Sequence, residues 1–389
     1  MKIKNERTIK TLSAVLASAL IIALVIIFND VFIYAASHIV LLSAKTYLPD
    51  EGVILPTFST AVHDETRQSE QSTTAAEETT RKQKETTTAK QVIKYTRDDF
   101  TKTPEDILDI ISQKKKTADK DKKDGSISEK QYKNDGVTDS YGRVRVKNMN
   151  KTGIDIEKKL KEKIDLSVTK DKPSVLIFHT HTTETYQILD RGFYETGFLT
   201  RSKDSGVNMV RVGKAICEEI EKVGYKVIHD TKIHDSSYNG AYAHSRESIE
   251  EILKKNPTIQ IVLDIHRDAI QLSDGTKIKP TAKILGKKAA QVMIISGCQE
   301  QGNPITNLPD WRYNLTFAVH LQDKLEELYS GITRPLYFCP RSYNMNVTHC
   351  SLLVEVGSDS NTLEEAVYTG KCIGSALSEI LKEYDEDNE

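Results

Sequence analysis

The chain has 389 residues, of which 38% are hydrophobic and 28% are charged, and its formal net charge at pH 7 is -2. This charge balance argues against a dedicated nucleic-acid-binding protein, which normally carries a basic face or stripe. The five cysteines are odd in number and include no C-x-x-C pair, so neither a disulfide framework nor a thiolate zinc site is indicated.

Residues 1–50 are predicted to hold a membrane anchor. Basic residues precede the apolar stretch Thr11–Phe28, which has about the length that a helix needs to cross a bilayer. The positive-inside rule then leaves the N-terminus in the cytoplasm and the rest of the chain outside, as in a single-pass membrane protein. A cleaved signal peptide is the alternative, with small residues near Ala36 and Ala44, but the apolar run that continues to Leu42 favours an uncleaved anchor.

Residues 51–150 are predicted to form a polar, disordered linker. The segment from Thr57 to Thr88 consists mainly of Thr, Glu, Ser, Gln and Lys, and such a composition cannot offset the entropy of ordering the chain. Within the linker, the amphipathic pattern of Gln91–Gln113 indicates a short helix, which either docks on the following domain or forms only transiently. The basic run Lys114–Lys123 favours a solvated tether over a contact with anionic polymer or lipid.

Residues 151–389 are predicted to form one α/β domain. Apolar strands alternate with helices there, which is typical of a mostly parallel, twisted sheet with helices on both faces. Ligands bind such sheets at the carboxyl ends of the strands. The predicted strands are Val175–Phe178, Lys226–Ile228, Ile259–Ile265, Gln291–Ser296 and Leu352–Val356, and the predicted helices are Val207–Val223, His244–Lys255, Trp311–Tyr329 and Thr362–Glu383.

Titratable side chains interrupt three of these apolar strands or follow them directly. His181 and Glu184 follow the first strand, His266 ends another, and Glu355 lies inside a third. Buried titratable groups rarely lack partners, so we expect these groups to converge, most simply on a metal ion. Two histidines and one carboxylate with an open fourth position are typical of a catalytic zinc site. His179 is an alternative to His181, because strand alternation would place both on one face.

The predicted zinc ligands are therefore His181, Glu184 and His266. Zinc lowers the pKa of a bound water to about 7, and a general base must still move the proton of that water. Glu355 is predicted to be this base, because burial raises the pKa of a carboxylate towards the useful range. Asp264 either fixes the ring of His266 or is only a polar residue near the end of its strand.

Several motifs in one order give the chain a family resemblance. F-H-T-H-T-T-E-T-Y, S-Y-N-G-A-Y-A-H-S-R, V-L-D-I-H-R-D-A and L-L-V-E-V-G-S-D-S-N-T together resemble the stage II sporulation protein P family over Pro173–Glu383. That family is similar to the zinc-dependent N-acetylmuramoyl-L-alanine amidases, whose two histidines and catalytic glutamate correspond to His181, His266 and Glu355. Those amidases carry a glutamate ligand at the start of the first helix, where this chain has none. The resemblance therefore leaves the second ligand to Glu184 or another nearby group.

The resemblance implies a function in the cell wall. It implies hydrolysis of the amide between N-acetylmuramic acid and L-alanine of the peptidoglycan stem, in septal wall degradation and forespore engulfment during sporulation. It also implies a partner, a lytic transglycosylase of the stage II sporulation protein D type, within a membrane-anchored engulfment complex. Two alternatives remain open, namely a zinc endopeptidase that cuts stem-peptide crosslinks and a non-catalytic wall-binding scaffold.

Overall fold

A computed structural model describes residues 96–195, 197–237, 239–299 and 307–386. The predicted membrane anchor and the predicted tether from Thr57 to Thr88 lie outside these residues. Among the residues that are described, no helix is long and apolar enough to span a bilayer. The chain divides into two compact units, and residues 96–102 belong to the smaller one, where helix α1 (Arg97–Thr101) begins at a capping box formed by Thr96.

The larger unit is built on an eight-stranded mixed sheet. Its strands, in spatial order, are β2 (Asp139–Tyr141), β3 (Val144–Asn148), β11 (Leu336–Cys339), β10 (Val292–Gly297), β12 (Cys350–Ser358), β7 (Ile261–Asp268), β4 (Pro173–Phe178) and β6 (Lys226–His229). Five of the seven neighbouring pairs among these described strands are parallel, and the pairs β2–β3 and β10–β12 are antiparallel. The predicted α/β class with a mostly parallel sheet is confirmed.

Helices pack against this sheet. On one face, Ile249 contacts Leu176 of β4 and Val262 of β7. Side chains alternate across a strand, so Ile177 and Leu263 point to the opposite face, and both are fully buried. Burial on both faces explains why the central strands read as continuous apolar runs. The helices of this unit after residue 150 are α3 (Ile156–Lys161), α4 (Met209–Lys222), α5 (Ala241–Lys255), α6 (Trp311–Leu328) and α7 (Leu363–Glu383).

A second, smaller sheet was not predicted. Its strands, in spatial order, are β5 (Phe193–Tyr194), β1 (Gly125–Lys130), β8 (Lys277–Ile284) and β9 (Lys287–Ala290). Strand β8 reads K-I-K-P-T-A-K-I, and proline and lysine are typical of edge strands, so the sequence did not indicate it. In the structure β8 lies between β1 and β9, and most of its residues are buried. Strands β8 and β9 form a hairpin whose turn residues, Leu285 and Gly286, both have positive φ.

The folded unit begins earlier in the chain than we predicted. The prediction of a polar linker over residues 51–150 is wrong over residues 103–150, because this segment contributes a helix and the strands β1, β2 and β3. Strand β1 is polar, but it pairs with β8 and its Glu129 forms ion pairs with Lys279 (3.0 Å) and Lys288 (2.6 Å). Strand β1 is thus held by ion pairs and strand pairing, whereas β3 buries Val144 and Val146 completely.

Helix α2 (Glu105–Lys115) lies within the segment Gln91–Gln113 and just beyond it, where we predicted a docking or transient helix. The helix docks on the larger unit. Ile107 is fully buried, and Asp106 accepts two hydrogen bonds from Arg211 of α4, at 2.7 and 3.1 Å. The structure therefore favours the docking alternative over the transient one.

Candidate active site

The chain turns directly after β4, and this turn arranges the predicted site residues. The amide of Glu184 donates to the carbonyl oxygen of His181 (3.1 Å), and the hydroxyl of Thr182 donates to the carbonyl oxygen of His179 (2.7 Å). The turn that H-x-x-E spacing requires is thus present. Because β4 ends at Phe178, strand alternation does not extend to the two histidines, and their rings have different surroundings.

His181 lies against His266, and His179 does not. The rings of His181 and His266 meet edge to face with their centroids 5.2 Å apart. His179 is committed elsewhere, because its Nδ1 is 2.9 Å from the carbonyl oxygen of Ile265 and its Nε2 is 2.9 Å from Nε2 of His229. Burial lowers the pKa of His179 to about 3 and that of His229 to about 4, so both rings are neutral and one ring donates the hydrogen bond that the other accepts.

Asp264 holds His266. The two side chains form an ion pair at 2.8 Å, and both oxygens of Asp264 are fixed by Thr180, whose amide (2.8 Å) and hydroxyl (2.6 Å) donate to them. Burial alone would lower the pKa of His266, but the charge of Asp264 and its contact raise that pKa to about 9. Burial and the charge of His266 lower the pKa of His181 to about 3, so His181 is neutral and offers a lone pair. A metal ion would have to displace the proton of His266.

Glu184 is buried and held by two arginines. One carboxylate oxygen accepts from the backbone amide of Arg267 (3.3 Å), and the other is 3.6 Å from the guanidinium of Arg201. Arg201 also pairs with Asp235 (2.5 Å), whose carboxylate lies 4.0 Å from Nδ1 of His181. Sequence analysis did not select Asp235, because it is remote in sequence from the strands that carry the site.

Glu355 lies on β12 in register with His266 on β7. Its Oε2 is buried and makes no hydrogen bond within the described part of the chain. Burial and the negative charge of Asp268 raise the pKa of Glu355 to about 8. The structure therefore places a carboxylate with a raised pKa on the strand next to His266.

Tyr242 is a site residue that sequence analysis missed. Its ring meets His181 edge to face with centroids 5.8 Å apart, and it lies nearly parallel to His266 at 6.4 Å. Tyr343 packs on its other side at 5.7 Å. The signal in the sequence is the motif S-Y-N-G-A-Y-A-H-S-R of the family resemblance, which does not indicate what the tyrosine contacts.

The donor set at this site fits zinc. No group of three or more His, Cys, Asp or Glu side chains within the described residues is already close enough to hold a metal ion. However, His181 and His266 are adjacent, and Glu184 is near enough for its charge to act on His266. Two imidazoles and a carboxylate are ligands that zinc accepts, and the Glu355 oxygen that lacks a hydrogen bond lies on the strand next to His266.

Comparisons with known proteins place the chain in a family. A model of the stage II sporulation protein P family matches residues 51–378. The stage II sporulation protein P of Bacillus subtilis (strain 168) is 28% identical over 232 residues, which is 57% of this chain and 54% of that protein. The match thus spans about half the length of the curated relative.

Solved amidase structures are also similar to part of the chain. The CwlD amidase from Clostridioides difficile, solved in complex with the GerS lipoprotein, is 16% identical with a TM-score of 0.35, covering 54% of this chain and 98% of that chain. The N-acetylmuramoyl-L-alanine amidase AmiC2 of Nostoc punctiforme is 11% identical with a TM-score of 0.32, covering 54% and 97%. From its match to the family model over residues 51–378, the chain belongs to the stage II sporulation protein P family.

Proposed function

We propose that this protein is a zinc-dependent peptidoglycan hydrolase that cleaves the amide between N-acetylmuramic acid and L-alanine of the stem peptide. The observation that carries the proposal is that His181, just after β4, meets His266 near the end of β7, and that Glu355 on β12 is in register with His266. Family membership supports a role in sporulation. We propose that the role is septal wall degradation during engulfment.

His181, Glu184 and His266 would hold the zinc ion. When bound, zinc supplies an activated water and polarises the carbonyl of the amide. His181 is prepared for this role because its ring is neutral, and His266 because the carboxylate of Asp264 lies 2.8 Å from its Nε2. Arg201 and the amide of Arg267 keep Glu184 turned towards the same site.

Glu355 acts as the general base and then as the general acid. Its Oε2 accepts a proton from the attacking water and returns that proton to the amide nitrogen as the stem peptide leaves. A base works best when its pKa lies near the operating pH, and burial brings the pKa of Glu355 to about 8. The absence of a hydrogen bond to Oε2 within the described residues keeps this oxygen available to the water.

We further propose that Thr11–Phe28 anchors the protein in the membrane with its catalytic domain outside the cytoplasm. A tether would allow the domain to reach the wall while its local concentration stays high. The partner that this arrangement suits is a lytic transglycosylase of the stage II sporulation protein D type, because cutting glycan strands and removing stems are complementary steps in wall degradation.

Product analysis tests the proposed function. The whole chain, solubilised in detergent and supplied with zinc, is incubated with purified peptidoglycan, and the soluble products are identified by mass spectrometry. Intact stem peptides with a free L-alanine amino group, together with stem-free glycan, are the expected products. Shortened stems that remain on the sugar would instead indicate the endopeptidase, and binding without any product would indicate the scaffold. Glu355→Gln should abolish product release, and Glu379→Gln, a half-exposed glutamate on α7 that pairs with Lys382, is the matched control.

A further inference from the structure

Tyr242 is the aromatic residue that contacts both histidines of the site. It lies in the first turn of α5, and its ring stands 5.8 Å from the ring of His181 and 6.4 Å from the ring of His266. The residue is half-buried. A group that touches both predicted metal ligands and also reaches solvent lies where a substrate would approach them.

The backbone of Tyr242 is held in place from two directions. The side-chain amide of Asn344 donates to the carbonyl oxygen of Tyr242 (2.9 Å), and the hydroxyl oxygen of Ser245 lies 3.2 Å from the same oxygen. Ser245 in turn contacts the hydroxyl of Thr180 (2.8 Å), which donates to Asp264. The same network that orients His266 therefore also positions Tyr242.

A strained turn supports the ring. Tyr343 and Asn344 have φ of 39° and 57°, a left-handed conformation that two consecutive non-glycine residues rarely adopt. This conformation lets Asn344 reach α5 while the ring of Tyr343 packs on Tyr242. Backbone strain of this kind is retained mainly where function requires it.

The hydroxyl of Tyr242 makes no hydrogen bond to any residue that the structure describes. Nearby cationic donors are already engaged, since Arg267 donates to the carbonyl oxygens of Thr185 (2.9 Å) and Thr200 (3.0 Å). Arg334 likewise donates to Asp268 (2.7 Å). A phenol keeps its proton at neutral pH, so Tyr242 presents a donor to this side of the site.

We propose that Tyr242 is a further catalytic residue, whose hydroxyl donates a hydrogen bond to the carbonyl oxygen of the scissile amide as that oxygen becomes negative. This inference rests on the proposed function. The water oxygen bonds to the carbonyl carbon, the carbonyl π electrons move onto the oxygen, and the proton of the water passes to Glu355. Tyr242 keeps its own proton throughout, and when the carbonyl re-forms, the C–N bond breaks and Glu355 protonates the leaving nitrogen.

Tyr242→Phe in the whole chain tests the proposal, because it removes the hydroxyl and keeps the ring against both histidines. With a synthetic N-acetylmuramoyl peptide as substrate, we expect kcat to fall about 100-fold, the usual effect of losing one such donor. KM should change by less than about twofold, because the hydrogen bond strengthens only in the transition state. Zinc content and circular dichroism should stay as in the wild type. Tyr313→Phe, an exposed ring stacked on His349 away from the site, is the matched control and should retain full activity.

A second measurement separates catalysis from packing. A phosphinate analogue of the tetrahedral intermediate should bind Tyr242→Phe about 100-fold more weakly than it binds the wild type, whereas the released stem peptide should bind both equally. Unchanged kcat in Tyr242→Phe, or a loss of zinc that accounts for the lost rate, would overturn the role of Tyr242 alone. A wild-type chain that neither hydrolyses the substrate nor binds the phosphinate would overturn the proposed function, and this inference with it.

Discussion

Gly213→Ala should destabilise the protein, because its added methyl group would press on His179, the histidine that we do not assign to the metal site. Gly213 lies in the interior of α4, and a Cβ at this position would come within 2.5 Å of Nε2 of both His179 and His229. Overpacking of this kind costs about 1–3 kcal/mol. Losing the neutral hydrogen bond between the two rings adds about 1 kcal/mol. The better helix propensity of alanine offsets about 1 kcal/mol. We therefore expect a net loss of about 1–3 kcal/mol in the free energy of unfolding.

Urea unfolding followed by circular dichroism measures this loss directly. The matched control is Gly153→Ala, at a position where no described atom lies within 4 Å of the added Cβ and where φ is not positive. The control should unfold as the wild type does. A Gly213→Ala chain as stable as the control would refute the packing that we assign to His179 and would reopen its role as a metal ligand.

Three further changes test other parts of the structure. Asp264→Asn removes the charge that holds His266, so zinc affinity measured by competition with a chelator should fall about 10- to 100-fold while the fold is retained. Burial alone would raise the pKa of Asp230, but hydrogen bonds from His234 and Ser248 lower it to about 2. Ionised Asp230 therefore stabilises the folded state above about pH 4, and this stabilisation is lost as the pH falls from about 4 towards 2. Asp230→Asn should lower the free energy of unfolding in urea by about 2 kcal/mol at pH 7, and the difference from the wild type should disappear over the same pH range. Ile107→Ala should loosen α2, because its fully buried side chain packs the helix onto the larger unit, and limited proteolysis should then cut within Glu105–Lys115 sooner than in the wild type. Wild-type zinc affinity in Asp264→Asn would contradict the role of Asp264. A pH-independent loss of stability in Asp230→Asn, or an unchanged cleavage rate in Ile107→Ala, would contradict the other two assignments.

The central strands could be predicted from the sequence because the pattern that identifies them lies within each strand. Strands β4, β7 and β12 are apolar runs of ordinary strand length, and burial on both faces is what such runs indicate. His266 and Glu355 were recognisable because they interrupt these runs. Their register across β7 and β12 follows once the two strands are neighbours.

The rest depended on contacts between distant segments. Lys279 is almost completely buried, but only because Glu129, Asp190 and Glu365 surround it from three other parts of the chain. A hydrophobic pattern does not reveal that a lysine in the middle of a strand is buried by charge pairing. The choice between His179 and His181 depended on where β4 ends, and strand ends are among the least predictable features of a sequence.

The metal centre is tested most directly by comparing two neighbouring histidines. Zinc per chain is measured by mass spectrometry of metals on purified wild type, His181→Ala, His179→Ala and His266→Ala, after dialysis against zinc-free buffer. We predict one zinc per chain in the wild type and in His179→Ala, which should be less stable but still loaded, and no zinc in His181→Ala or His266→Ala. Zinc retained in His181→Ala and lost in His179→Ala would contradict the site as we assign it.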